Sequence, residues 1–217
     1  MTPFPNTIHT NTGNEDMITI AVPTGRLQKQ VFQYFISCGI QIDAPNRHLI
    51  IQDKSNSIRF LLVKNSDLPE YVNGGISSIG IVGTDVINES PHSFFTLGKF
   101  PFGSTRICLI AKPQTPPINS VTQTTVGTKY TQFTKHFLSK RNINANIITL
   151  KGSVEIAPLL GLSTYIIDLV ETGKTIEDNK LTILEEIDTT KVVLIANKAL
   201  YKLNYKAIDK VVRNLKL

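Results

Sequence analysis

Short apolar runs rich in β-branched residues alternate with segments of helical period along almost the whole chain. That alternation restricts the possible folds more than any other feature. Residues 17–23 read as a buried strand. After Gly25 a helical stripe of Leu27, Val31, Tyr34 and Phe35 follows, and Gly39 stops it. Residues 48–51 and Ile58–Val63 read as two strands around a turn at 53–57. Ser66-Asp67 opens a short helix that ends at Asn73-Gly74-Gly75, and strands follow at 79–82 and 106–111.

Residues 112–124, rich in Pro, Thr, Gln and Ser, have the composition of a linker, and beyond them the pattern restarts. Strands are expected at 125–128 and 146–150, with a helix over Thr131–Lys140 between them. A short helix at 154–160 precedes a strand over Tyr165–Val170. Strands at 181–187 and 192–197 follow, and a helix of about four turns closes the chain. Uncapped apolar strands alternating with helices predict an α/β protein with mainly parallel sheets. Two blocks joined near residue 112 predict two lobes. Ligands in such folds sit at the carboxyl ends of strands, often between lobes. The places to look are Pro23-Thr24-Gly25-Arg26, Asn65-Ser66-Asp67, Gly83-Thr84-Asp85, Leu150-Lys151-Gly152-Ser153 and residues 168–175.

Composition narrows the class. The 217 residues are 41% hydrophobic and 18% charged, an ordinary globular balance. No apolar stretch is long enough to span a bilayer. Residues 1–16 are polar and lack the basic-then-apolar order of a signal peptide, so they read as a disordered tail on a cytoplasmic protein. The net charge of +6 fits an anionic small-molecule site or a nucleic-acid surface. The basic cluster Lys202, Lys206, Lys210, Arg213 and Lys216 falls at helical spacing among Leu203, Ile208, Val211 and Leu215. It reads as a solvated helix face rather than a nucleic-acid patch. Cys38 and Cys108 stand alone in apolar surroundings and read as buried free thiols. The scattered His9, His48, His92 and His136 form no zinc-like spacing.

The apolar run Tyr165-Ile166-Ile167 ends in Asp168-Leu169-Val170-Glu171-Thr172-Gly173-Lys174-Thr175. Small hydroxyl residues around a glycine at a strand-to-helix junction let backbone N–H groups converge on an anion. An acid just upstream suits the hydroxyls of a sugar carrying that phosphate. A plain strand-turn-helix junction uses the same residues.

Gly152-Ser153-Val154-Glu155-Ile156-Ala157-Pro158-Leu159-Leu160-Gly161-Leu162, continuing through 168–175, resembles the ATP phosphoribosyltransferase family, in its short catalytic form. Gly25-Arg26-Leu27, Arg47-His48-Leu49-Ile50, Ser66-Asp67-Leu68-Pro69, Gly80-Ile81-Val82-Gly83, Thr128-Lys129-Tyr130 and Leu194-Ile195-Ala196-Asn197 support it. The resemblance implies a two-lobed fold like that of the periplasmic binding proteins of type II, with an interlobe active site. Residues 17–111 plus 186–217 would form the nucleotide-side lobe and 112–185 the phosphoribosyl-side lobe. It implies attack of adenine N1 of ATP on ribose C1 of phosphoribosyl pyrophosphate, with Mg2+ accompanying the pyrophosphate. It also implies self-association and a regulatory subunit resembling histidyl-tRNA synthetase, without membrane or nucleic-acid partners.

By the same resemblance Arg26 and Arg47 would be the catalytic residues, contacting pyrophosphate and triphosphate. Gly25 and Asp67 would join them in binding ATP. Asp168 and Glu171 would hold the ribose hydroxyls, and Thr172, Gly173, Lys174 and Thr175 the 5-phosphate, with Glu155 nearby. Lys174 reads equally well as a solvated charge, and Glu155 and Asp67 as acids favoured by a helix start. Thr24 and Thr84 stand where the family usually carries lysine, and Thr164 where it usually carries an acid. Lys64 and Lys129 are the cations that could offset the loss. A catalytically impaired paralogue and a non-enzymatic two-lobed binding module are the alternatives.

Overall fold

The computed structural model describes residues 17–42, 48–55 and 57–217. The expected tail at 1–16 and Arg47 lie outside the described residues. Two sheets organise the rest. The first contains β1 (Ile18–Pro23), β2 (Ile50–Gln52), β3 (Ile58–Val63), β4 (Ile79–Gly83), β5 (Phe95–Lys99) and β11 (Val192–Ala196), in the order β2-β3-β1-β4-β11-β5. The second contains β6 (Thr105–Ala111), β7 (Thr124–Thr128), β8 (Ala145–Thr149), β9 (Tyr165–Val170) and β10 (Thr182–Thr190), in the order β10-β6-β9-β7-β8.

Both sheets are mixed, which corrects the expectation of mainly parallel sheets. β1 runs parallel to β3 and β4, and β7 to β8 and β9. β11 is antiparallel to β4 and β5, and β6 to β9 and β10. β2 is antiparallel to β3, and the remaining antiparallel pairs involve the strands that carry the chain between the lobes. β5 leads into β6 on the way out, and β10 leads into β11 on the way back. The two crossings lie side by side: Phe100 N–H donates to the Val192 carbonyl at 2.9 Å, and Thr105 N–H to Thr190 Oγ1 at 3.2 Å.

The crossing therefore lies between residues 99 and 105, not near 112. β6, expected in the first lobe, pairs wholly within the second sheet, and so does the whole of β10. The linker-like stretch 112–124 is a loop of the second lobe. Its Pro116 carbonyl accepts the Tyr165 hydroxyl at 2.7 Å, and its Ile118 is buried with Val126, Phe137 and Tyr165. Composition marked irregular backbone there, and irregular backbone need not separate lobes. β5 gave no sequence signal because it is an edge strand, exposed at Phe95, Thr96 and Lys99.

β1 and β4 are buried on both faces, as their unbroken apolar runs require. One face packs on α1 (Arg26–Ser37) and α8 (Tyr205–Asn214), through Val31, Phe32, Phe35, Ile208 and Val211. The other packs on α2 (Leu68–Asn73), through Leu68 and Val72. Gly80 admits α2 closely: a Cβ there would lie 2.7 Å from both Leu68 and Val72. That approach holds the β3–α2 loop at the carboxyl edge of the sheet. The expected closing helix is two helices, α7 (Lys198–Leu203) and α8, broken at Asn204. Along α8 the basic side chains are exposed and Ile208, Val211 and Leu215 are buried, the solvated face expected. Cys108 is buried as expected, whereas Cys38 is half-buried.

Candidate active site

The loops leaving the carboxyl ends of β1, β3 and β4 meet those leaving β7, β8 and β9 across a cleft. A cavity of about 610 Å³ lies there, lined by Asn65, Pro69, Asp85, Val86 and Glu89 on one side and Lys129, Tyr130, Leu150 and Lys151 on the other. A smaller one of about 210 Å³ lies toward the crossing strands, lined by Thr24, Arg26, Asn65, Asp85, Leu169 and Thr190. β1 lies between β3 and β4 in the first sheet, so the loop after it opens at the point where strand order reverses.

Each lobe supplies one part of the expected site. Gly25 forms the N-cap of α1 and Arg26 begins the helix, which has no acid in its first turn. The Arg26 guanidinium makes an ion pair across the cleft with Glu171. Asp168, near the end of β9, is largely buried and receives Lys129 Nζ at 3.1 Å, and its own carboxylate also accepts the Leu169 N–H at 2.7 Å. Lys129 follows β7, and its neighbour is anchored. Tyr130 N–H donates to Thr128 Oγ1 at 2.9 Å, and that hydroxyl donates to the Ile167 carbonyl at 2.7 Å. Lys129 therefore brings a cation to Asp168, while Lys64 is exposed just beyond β3.

Glu171, Thr172 and Gly173 form the loop into α6 (Lys174–Asp178), which Lys174 and Thr175 begin. Gly173 is left-handed, with φ 85°, and Lys174 N–H leans on Thr172 Oγ1 at 3.4 Å. The Thr172, Lys174 and Thr175 side chains are exposed. Two other expected residues stand apart. Asp67, at the N-cap of α2, takes the Ser66 hydroxyl at 2.7 Å. Glu155 occupies the N-cap of α5 (Ile156–Leu159) and makes no side-chain cap bond. Thr84 is used structurally, since its hydroxyl accepts the Lys191 N–H at 3.0 Å beside the crossing.

Four groups were not among the site residues named from the sequence. Glu89, the last residue of α3 (Thr84–Glu89), reaches the other lobe. Its two carboxylate oxygens accept the N–H groups of Gln132 and Phe133, each at 2.9 Å, in the first turn of α4 (Thr131–Lys140). α4 has no side-chain cap and no acid of its own there. Tyr130 is buried in the cavity wall. Burial pushes its phenol well above the ordinary range, and the carboxylates of Asp85, Asp168 and Glu89 push the same way. Asp85 is buried, and burial raises its carboxyl against the opposing pull of backbone N–H groups and Lys129. Asn65 carries a buried Oδ1 with no hydrogen-bond partner. The strand ends at 65–67 and 83–85 were the only sequence signal for Asn65 and Asp85. Tyr130 stood beside a marked lysine, and Glu89 had none.

An acid-and-hydroxyl loop on one lobe facing a guanidinium on the other suits a phosphorylated sugar with a departing anion. The family described as HisG: ATP phosphoribosyltransferase matches residues 64–217. An ATP phosphoribosyltransferase of Brachyspira hyodysenteriae is 37% identical over 203 residues, 92% of this chain and 98% of that protein. The ATP phosphoribosyl transferase (HisG:HisZ) complex of Thermotoga maritima contains a chain of similar structure. Its TM-score is 0.77 at 29% identity, covering 92% of this chain and 97% of that one. The alkanesulfonate-binding protein SsuA of Xanthomonas axonopodis shares the fold alone, with a TM-score of 0.59 at 10% identity over 94% of this chain and 73% of that one.

Proposed function

The chain belongs to the ATP phosphoribosyltransferase family, and from that membership we propose how its cleft divides the reaction. The enzyme joins N1 of the adenine of ATP to C1 of the ribose of phosphoribosyl pyrophosphate and releases pyrophosphate, the first step of histidine biosynthesis. The phosphoribosyl group is assigned to the second lobe, centred on β7 and β9, and the nucleotide to the first, centred on β1, β3 and β4.

One observation carries the assignment: Arg26 of the first lobe reaches Glu171 in the sugar-phosphate loop of the second. In our reading Asp168 and Glu171 hold the ribose hydroxyls. The loop 172–175 holds the 5-phosphate, its left-handed Gly173 keeping the backbone open to the anion. Glu155 and Asp67 stand farther out as supporting contacts. Gly25 and Arg26 face the anions at the mouth of α1, and Arg47 is assigned to the same task by family resemblance. As pyrophosphate leaves, charge grows on its oxygens and a guanidinium stabilises it. Adenine N1 carries no proton, so positioning and electrostatics suffice and no general base is required. Lys129 beside Asp168 supports the cation balance that Thr24 and Thr84 leave short of the family pattern.

Mg2+ enters in this reading with the pyrophosphate, as part of the substrate. Among the described residues no cluster of three His, Cys, Asp or Glu is spaced to hold a metal. The Thermotoga maritima complex motivates a HisZ-like regulatory partner, with self-association of the catalytic chain. No helix among the described residues is long and apolar enough to cross a membrane, and substrates of the central metabolite pool favour the cytoplasm.

The test is an ultraviolet assay of adenine N1 ribosylation with ATP, phosphoribosyl pyrophosphate, Mg2+ and pyrophosphatase, with and without a HisZ-like subunit. Product that falls on Asp168→Asn and on Arg26→Ala supports the assignment. Wild-type turnover that both variants retain overturns the site.

A further inference from the structure

Asp85 and Asn65 are the two residues that border both cavities, at the neck between them, and both carry acceptor oxygens. Asp85 is 9% exposed. The other buried carboxylate, Asp53, is saturated by the N–H groups of Ser55, Ser57 and Ile58. Asp85 makes no ion pair among the described residues. Its carboxylate lies back over the end of β4, where a Cβ on Gly83 would meet Oδ1. Asn65 Oδ1 is buried without a partner, an unfavourable state that a donor on a ligand would relieve. An unpartnered amide oxygen beside a buried carboxylate that meets only backbone N–H groups and the field of Lys129 leaves acceptor capacity for a socket that takes an –NH2 group. Beyond the neck Pro69, Val86, Tyr130 and Leu150 give the larger cavity apolar surface suited to a ring.

We propose that Asp85, with Asn65, receives the 6-amino group of the adenine and so selects ATP among purine nucleotides. The inference rests on the nucleotide reading of the first lobe given above. A 6-oxo purine presents an acceptor at the same edge and meets two acceptors, so the neck rejects it. The pair also acts during the reaction. The N1 lone pair forms the bond to ribose C1 while the C1–O bond breaks and its electron pair leaves with pyrophosphate. The purine gains one positive charge, shared between N1 and the 6-amino group, whose protons stay on nitrogen. A carboxylate in a water-poor neck is then opposite the charge as it forms. The burial that raises the Asp85 carboxyl in the free protein is the same feature that makes it effective there.

The experiment compares wild type, Asp85→Asn and Asn65→Ala by calorimetric binding of ATP, ITP and phosphoribosyl pyrophosphate, and by turnover of ATP. Wild type is expected to prefer ATP over ITP. Asp85→Asn, nearly the same shape and able to donate to a 6-oxo group, is expected to weaken ATP roughly 10–100-fold and to narrow or invert the preference. Its affinity for phosphoribosyl pyrophosphate should not change. Asn65→Ala should move ATP in the same direction by a smaller factor and leave the phosphoribosyl ligand alone. Equal losses for ATP and ITP, or an equal loss for phosphoribosyl pyrophosphate, overturn the inference. A wild type that prefers ATP yet makes no product overturns the transferase reading, while the altered base preference of Asp85→Asn still supports the socket.

Discussion

Arg26, at the first turn of α1, and Glu171, in the loop after β9, form an ion pair that spans the cleft between the lobes. Both side chains remain about half exposed, at 52% and 51%. An exposed pair of this kind contributes about 0–1 kcal/mol, so its meaning is functional more than structural. Arg26→Ala should lower kcat/KM on the order of 10²–10³-fold, because a guanidinium facing a leaving anion acts chiefly in the transition state. The melting temperature should move by no more than about 4 °C. Steady-state kinetics and calorimetry on the same preparation check both halves.

Glu89 ties the lobes on the far rim of the cleft. Its two bonds to the first turn of α4 supply the cap that α4 lacks. Glu89→Ala should cost about 1–2 kcal/mol, the value of a lost charged cap, or roughly 2–8 °C in melting temperature. Solution scattering should show a larger radius of gyration, since the cap joins the two lobes. An unchanged radius with lowered stability would mean that the bond caps the helix without holding the cleft.

Gly173 sits at φ 85°, and a Cβ there would meet only Val170 Cγ1, at an ordinary contact distance of 3.9 Å. An alanine there meets no clash beyond its own backbone preference, which costs about 1 kcal/mol. Gly173→Ala should therefore raise KM for phosphoribosyl pyrophosphate several-fold through a displaced loop, with KM for ATP unaltered. Equal changes in the two constants would remove the loop from the phosphate site.

Asp53 provides a pH signature remote from the cleft. Burial pushes its carboxyl up, but the hydroxyl of Ser55 and the N–H groups of Ile58, Ser55 and Ser57 outweigh it and hold the pKa below the ordinary value. A depressed folded pKa stabilises above the unfolded value of about 3.9, and that stabilisation is lost as pH falls through the folded pKa. The stability gap between wild type and Asp53→Asn should be constant from pH 7 to about 5 and shrink below about 4. Urea titrations across that range measure it.

Much of the fold was legible because local rules and burial agreed. The helix over Thr131–Lys140 and the strands over Ile58–Val63 and Tyr165–Val170 stand where their residue patterns put them. The strand-to-helix junction after β9 was legible as well, since the apolar run of Tyr165–Val170 breaks at Thr172-Gly173. The lobe boundary was not. Pro and Thr at 112–124 mark irregular backbone, and only the pairing of β6 with β9 and β10 shows which sheet a strand joins. β5 was illegible because an exposed edge strand has no apolar period to read.

Sequence alone determined most of the element types and the family, since these depend on residues close together in the chain. Tertiary structure alone decided which distant residues meet. Glu89 with the N–H groups of Gln132 and Phe133, Lys129 with Asp168, and Asp85 with Asn65 at one neck are separated in sequence by between 20 and 44 positions. The physical reason is sheet topology. Strand order and direction set which loops share an edge, and those choices are made by long-range hydrogen bonding and burial that no local period encodes.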